Sequence, residues 1–474
     1  MKTNGRLRTR FGLAMLLLVI CSLQTLVHAE SPVLTLAQAV ALALQVDFQV
    51  KMDTNSLAKA QLAVKKAAQG TFPQATVAGQ YQYQATDQSY PSSYQVVVQE
   101  TIPTGYNLYG QKVDSSITTA MWDQVIAEAT LQIARAEVIY STYEDYLTVL
   151  KYQQVLQLQT EAVKKYQDDN TLAVKQFSVG KITKPELLKT ENALNQAQYE
   201  LVKDRADLDI ARRKLANQVG IKDFASYRLE EITIDPEAVD EELAALQHKA
   251  LQRRLELQKD GLNIKKALRT WGQAKNDELP GLAVSYNNQN TTQSFGMSYN
   301  FISGDLSWLA AQKGDSYQSQ SDVLSGSSDT SYYGTHKRYF TVKLSWSLDF
   351  GAAKNETRQT QYSLENAKLD LEKARQDIQL EVEQALNDYQ LAVKQYEVNQ
   401  QALPYYEKDL EIKQLQLEMG MLKFTDLSDA RQDALEARIT AVKSSYDRVL
   451  TLQKLKKAVG DLYPFAKTAN SNQE

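Results

Sequence analysis

Cysteine is almost missing from this chain. The single one, Cys21 of 474 residues, lies inside an N-terminal stretch that reads as a leader. The chain beyond that leader has no disulfide framework and no thiol chemistry. Histidine is nearly as rare: beyond the leader only His248 and His336 occur, in separate contexts and without ligand spacing, which argues against a metal centre. Glycine (19) and proline (9) are too few for a loop-rich chain. No later segment approaches 18 consecutive apolar residues, so no transmembrane helix is expected. Nucleophile motifs and phosphate-binding glycine loops are absent too. The chain is read as a non-enzyme with no cofactor.

What is present begins with the leader. Lys2, Arg6, Arg8 and Arg10 form a basic region, Leu13 to Leu26 an apolar one, and Val27-His28-Ala29 resembles a cleavage site, so residues 1–29 are expected to be a secretory signal peptide. Bulky Ile20 before Cys21 argues against lipidation. Removing four basic residues and no acid takes the net charge from −4 to −8, which argues against nucleic acid as a partner.

The remainder is written twice. ALQ at Ala43-Leu44-Gln45 returns at Ala250-Leu251-Gln252, and Pro73 returns as Pro280, at an offset of 207. Gly180, Leu187, Leu215 and Val219-Gly220 return as Gly420, Leu427, Leu455 and Val459-Gly460, at an offset of 240. Internal duplication implies pseudo-symmetry. Two structural repeats are expected, 30–235 and 236–462, before a disordered tail over 463–474.

Each half reads helix, strand pair, long helix, helix. Helical tracts are predicted from Leu34 to about Gln69, over 106–178 and over 185–219, then near 239–277, 352–418 and 425–459. Gly180 ends the first long tract, and Thr183-Lys184-Pro185-Glu186 fits a capping box that opens the next. That helix carries leucine every seventh residue, Leu187, Leu194, Leu201, Leu208 and Leu215, the signature of a left-handed supercoil. The matching stripe in the second half is small: Ala430, Ala434, Ala437 and Ala441. At about 1.5 Å per residue, two short helices end to end match one long helix, so a bundle or tube is required. Pro404 should kink its helix.

Alternating strands are predicted around Val77-Tyr81-Tyr83, Tyr94-Val96-Val98-Ile102, Leu282-Val284-Tyr286 and Phe340-Val342-Leu344-Trp346-Leu348-Phe350. Phe295-Met297-Tyr299-Phe301 either extends the third of these or forms an extra hairpin. The pattern suits a membrane β-barrel or a small soluble sheet on a helical stalk. Four strands cannot close a barrel, and an open edge is not tolerated in lipid, so several chains would have to pool them.

Together these features resemble the TolC-like outer-membrane efflux proteins across essentially the whole mature sequence. They are Leu34-Thr35-Leu36-Ala37-Gln38-Ala39-Val40 with Ala43-Leu44, Pro73 and Pro280, the Gly180 and Gly420 turns, and the Val219-Gly220 and Val459-Gly460 helix ends. The resemblance implies a mainly α fold with a small β part. It implies a homotrimer whose α-helical coiled-coil tunnel is capped by a twelve-stranded transmembrane β-barrel, four strands per chain. It further implies a location in the outer membrane, with an inner-membrane pump and a periplasmic adaptor as partners in drug efflux or protein secretion. A periplasmic coiled-coil adaptor or scaffold is the alternative.

One constellation bears on function. Asp426 and Asp429 stand three apart at the start of a helix, on one face. Acids there complement the helix macrodipole. The resemblance instead places them at the periplasmic entrance as carboxylate rings that select cations. The family closes that entrance with an arginine and a tyrosine, whose positions correspond here to Leu422 and Leu417. Glu186 keeps the acid of the first repeat, and Lys423, Lys184 or Lys181 could supply a cation for a latch. Residues 303–338 read as a long exposed loop, and Trp308 and Trp346 as membrane-interface markers.

Overall fold

The computed structural model describes residues 33–70, 72–83, 92–103, 116–222, 227–232, 239, 241–278, 280–290, 293–301, 304–313, 337–345, 351–419, 421–422 and 424–462. The leader with Cys21, the tail, His336, Trp346, Gly420 and Lys423 lie outside them, as do 314–336 of the proposed loop.

Eight helices carry the described fold: α1 (Leu36–Val46), α2 (Phe48–Gln69), α3 (Ser116–Ser178), α4 (Lys184–Val219), α5 (Leu243–Arg253), α6 (Leu255–Asp277), α7 (Ala352–Glu418) and α8 (Phe424–Val459). With 63 and 67 residues, α3 and α7 extend about 95 and 100 Å. No described helix is long and apolar enough to cross a membrane. Pro404 lies inside α7, and the helix runs through it.

Each of the two first tracts, predicted as continuous, is broken once. The breaks fall at Asp47 (φ −54°, ψ 131°) and Arg254 (φ −67°, ψ 119°), which are equivalent at the 207-residue offset. Both residues leave the helical region, and neither is glycine or proline. Asp47 starts α2 by accepting a hydrogen bond from the Val50 amide at 2.8 Å. At the other break the Arg254 guanidinium is held by Glu256, Glu381 and the Ala458 carbonyl.

The short helices line up along the long ones. Val50 of α2 packs on Leu131 and Val138 of α3, whereas Ala197 of α4 packs on Ala162 and Tyr166 farther along α3. Where α1 and α4 meet, a Cβ on Gly220 (φ +75°) would sit 2.7 Å from a Val46 methyl. Glycine is therefore required there both for its backbone and for the close approach. The leucine stripe grades along α4: Leu208 and Leu215 are buried, while Leu187, Leu194 and Leu201 are half-buried. Ala430, Ala434 and Ala441 are buried on α8, where small side chains allow close approach to α7 and α3.

Two equivalent cores sit near mid-length. One joins Tyr146, Leu147 and Leu150 to Leu208, Leu215 and Val219; the other joins Ile378, Val382 and Leu386 to Leu452, Leu455 and Val459. The first also holds a two-residue parallel pair, β1 (Val33–Leu34) with β4 (Arg228–Leu229). The Tyr146 hydroxyl donates to the Leu34 carbonyl (2.8 Å) and the Glu230 carbonyl (3.0 Å) on either side of it. Burial pushes the Tyr146 phenol up to about 12.

The main sheet departs from the four-strand expectation. Among the described residues it has six strands: β2 (Gln74–Tyr83), β3 (Ser92–Pro103), β5 (Gly281–Gln289), β6 (Gln293–Asn300), β7 (Asp305–Lys313) and β8 (Lys337–Ser345), in the order β2-β3-β7-β6-β5-β8. The run Phe295 to Phe301 forms the extra hairpin, pairing with 305–313 and separating β3 from β5. Its faces alternate across the sheet. One cross-strand row is Thr101, Ser307, Ser298, Ser285 and Thr341; the next is Ile102, Leu306, Tyr299, Val284 and Val342. Every position of the first row carries a hydroxyl and every position of the second is apolar. On the apolar face Phe340, Val342 and Leu344 are 71%, 67% and 70% exposed, and the Trp308 indole donates to Glu100 at 2.6 Å.

Candidate tunnel-tip site

The far end of the helices from the sheet is made by two equivalent turns. Gly180 (φ +71°) follows α3, and the Lys181 amide donates back to the Gln176 carbonyl at 2.8 Å. In the second turn the Met421 amide donates to Gln416 at 2.9 Å, the same bond displaced by 240 residues. Both fit a six-to-one helix stop. Nothing lies within 4 Å of a Cβ built on Gly180, so its backbone angle alone calls for glycine there.

After the first turn Glu186 faces its own helix start. Its Oε2 accepts from the Thr183 amide (2.8 Å) and the Thr183 hydroxyl (2.9 Å). Lys184 is the first residue of α4 and is exposed. Asp426, equivalent to Glu186, is exposed in the first turn of α8. Leu417 and Leu422 are half-buried.

Asp429 is also exposed, and it is ion-paired: Lys189 Nζ of α4 lies 2.9 Å from its Oδ2. Two residues farther along α8, Arg431 pairs with Asp169 of α3. That pair is the more enclosed, with side-chain exposures of 21% and 10%, against 46% and 56% for Lys189 and Asp429. Tyr166 lies beside it. Its phenol is pushed up to about 12, first by burial and then by the Asp169 carboxylate. Leu435 of α8 packs into the same cluster, and Arg438 of α8 bonds Glu407 of α7 at 2.9 Å. The α3–α4 and α7–α8 hairpins are thus joined near the tip by two charge pairs and an apolar contact.

The sequence placed Asp426 and Asp429 together, and both project from the first two turns of one helix. It did not find Lys189, Asp169 or Arg431. A signal for one of them was present: Lys189 and Asp429 are equivalent positions at the 240-residue offset and carry opposite charges. Among the described residues no cluster of three or more His, Cys, Asp or Glu is placed to hold a metal ion.

A family model described as outer membrane efflux protein matches residues 39–220 and 246–461. The chain belongs to that family. No curated protein matches it by sequence. Among solved structures, this efflux-family chain is similar to the Campylobacter jejuni CmeC outer membrane channel, with a TM-score of 0.69, 14% identity, and 92% of this chain and 89% of that one covered. It is similar to the outer membrane protein VceC of Vibrio cholerae, with a TM-score of 0.70, 14% identity, and 90% and 96% covered. It is also similar to the open state of the Neisseria gonorrhoeae MtrE outer membrane channel, with a TM-score of 0.65, 14% identity, and 90% and 88% covered. The shared fold is mainly α with a small β part.

Proposed function

We propose that three copies of this efflux-family chain form a passive export duct. Its sheet stands in the outer membrane and its helices cross the periplasm as a tunnel. A periplasmic adaptor and an inner-membrane pump deliver cargo to the Gly180/Gly420 end. The observation that carries this reading is the combination of helices about 100 Å long with a terminal sheet that is hydroxyl-rich on one face and exposed-apolar on the other. A sheet of that kind suits lipid on one side and water on the other. A periplasmic scaffold would account for the helices and leave the apolar face without a role.

At the tip, Asp426 and Asp429 of three copies would ring the entrance and favour cations. The Arg431–Asp169 and Lys189–Asp429 pairs are well placed to hold the two hairpins together there, in the role anticipated for Glu186, Lys184 and Lys423. Glu186 is engaged in capping, which supports a structural role.

Electron microscopy of the detergent-extracted protein tests the architecture. A threefold cylinder well over 100 Å long is expected from the helix lengths; a short or unsymmetrical rod would return the scaffold reading. In planar bilayers, the Asp426→Asn/Asp429→Asn variant should lose cation preference, and an unchanged reversal potential would remove both residues from the entrance.

A further inference from the structure

The β6–β7 hairpin is an integral part of the wall. It supplies Ser298 and Ser307 to the hydroxyl row and Tyr299 and Leu306 to the apolar row. It pairs along its length with β3 on one side and β5 on the other. Its connection turns back at the helix-side end of the sheet, where the Phe301 amide donates to the Leu282 carbonyl at 2.9 Å. An inserted up-down pair keeps every neighbour antiparallel, so the insertion widens the sheet without changing the direction of β5 or β8.

This leaves β2 and β8 as the outer strands, and among the described residues neither outer edge is paired. Both edge strands carry exposed apolar side chains, Val77 and Tyr81 on one and Phe340, Val342 and Leu344 on the other. Unpaired backbone groups facing lipid are not tolerated, so these edges must be covered. A second copy is the occupant that fits. β2 leaves the helices and β8 returns to them, so β8 of one copy meets β2 of the next antiparallel. Their lengths, 9 and 10 residues, match. The apolar faces then run on without a break.

We infer that the membrane barrel of this protein pools six strands per copy, so that three copies close eighteen strands rather than twelve. The inference rests on the outer-membrane duct reading. Barrel diameter grows with strand number, and at a strand spacing of about 4.8 Å and a tilt of about 40° it rises from about 24 to about 36 Å between backbones. The outer-membrane exit is therefore wider, with about twice the cross-section of a twelve-stranded one.

Strand counting by electron cryomicroscopy of the unaltered protein in lipid nanodiscs tests this directly. Eighteen strands with β2 against the neighbour's β8 are expected. Twelve strands, with β3 against β5 and the hairpin outside the wall, would overturn the inference and leave the duct intact. Absence of the protein from the outer-membrane fraction would instead overturn the duct reading and the inference with it. Disulfide trapping gives a second readout, because Cys21 is the only cysteine in the sequence. Thr101→Cys with Ser307→Cys, whose hydroxyls lie 3.3 Å apart, should close an intrachain bond. Pairs drawn from Ala78→Cys or Gln80→Cys with Thr341→Cys or Lys343→Cys should link copies up to a covalent trimer. Monomers throughout, from protein that still runs as a heat-dissociable trimer, would overturn the seam.

Discussion

Removing Lys189 should make the channel more cation-selective, and the size of the effect can be worked from its pairing with Asp429. A carboxylate about 4 Å from a passing monovalent cation attracts it by about 1 kcal/mol in water. The Lys189 ammonium is 2.9 Å from that carboxylate. From the far side it would lie about 7 Å from the ion and cancel about 0.6 kcal/mol. Over three copies the pairing would suppress about 1.8 kcal/mol of cation preference before screening, and about half of that at 0.1 M salt, where the Debye length is about 10 Å. Lys189→Met should therefore raise cation permeability about fivefold at 0.1 M, and the cation-to-anion ratio by at least as much, with a smaller rise at 1 M. Asp429→Asn should lower it modestly, because its charge is already offset, and Asp426→Asn should lower it too. Reversal potentials across a salt gradient in planar bilayers read all three. An unchanged potential in Lys189→Met, alongside a shifted one in Asp426→Asn, would refute the reasoning by placing Asp429 off the ion path.

Other predictions concern what holds the helices together. Gly220→Ala should destabilise the detergent-solubilised protein by about 2–4 kcal/mol, from its left-handed backbone and the Val46 clash. Adding Val46→Ala should recover the clash portion, and Gly180→Ala, with open space around it, should lose only about 1–2 kcal/mol; thermal melts compare the three. Arg431→Met strands the Asp169 carboxylate and should cost about 2–4 kcal/mol, below the range for fully buried pairs because Arg431 is partly exposed. Asp169→Asn added to it should restore most of the loss and keep the hairpins joined, as read by melting and by channel open probability. Tyr146→Phe removes the donor to two carbonyls and should cost about 1–3 kcal/mol near neutral pH. The Tyr146 phenol, raised from 10 to about 12, contributes stability that is whole below pH 10 and lost as pH rises through 12. The variant's deficit should therefore shrink in alkaline melts, and a constant deficit from pH 8 to 12 would count against a neutral buried Tyr146. Glu186→Gln should lower melting slightly through its cap and leave conductance unchanged; altered gating would restore it to the latch.

What was legible in the sequence is what depends on neighbours along the chain. The leucine and alanine stripes, the Gly180 stop, the Thr183–Glu186 box and the alternating strands are set by local backbone preference and by which faces are apolar. The helix extents over 184–219 and 352–418 reflect those local signals. The breaks at Asp47 and Arg254 fall at equivalent positions of the duplication, but both tracts read as continuous because no glycine or proline announced either one. An aspartate start and a guanidinium anchored from other helices make those breaks, and only packing brings the anchors near. The sequence by itself determined the helical class, the order of elements and the acidic face of α8. Tertiary structure decided which long-range partners meet. It set Lys189 against Asp429 and Arg431 against Asp169, and it seated the Phe295–Phe301 run, paired with 305–313, between β3 and β5 as two more strands of the sheet. Those outcomes rest on register between segments about 200 residues apart, and the free energy that selects a register comes from whole faces closing on one another, which no local pattern contains.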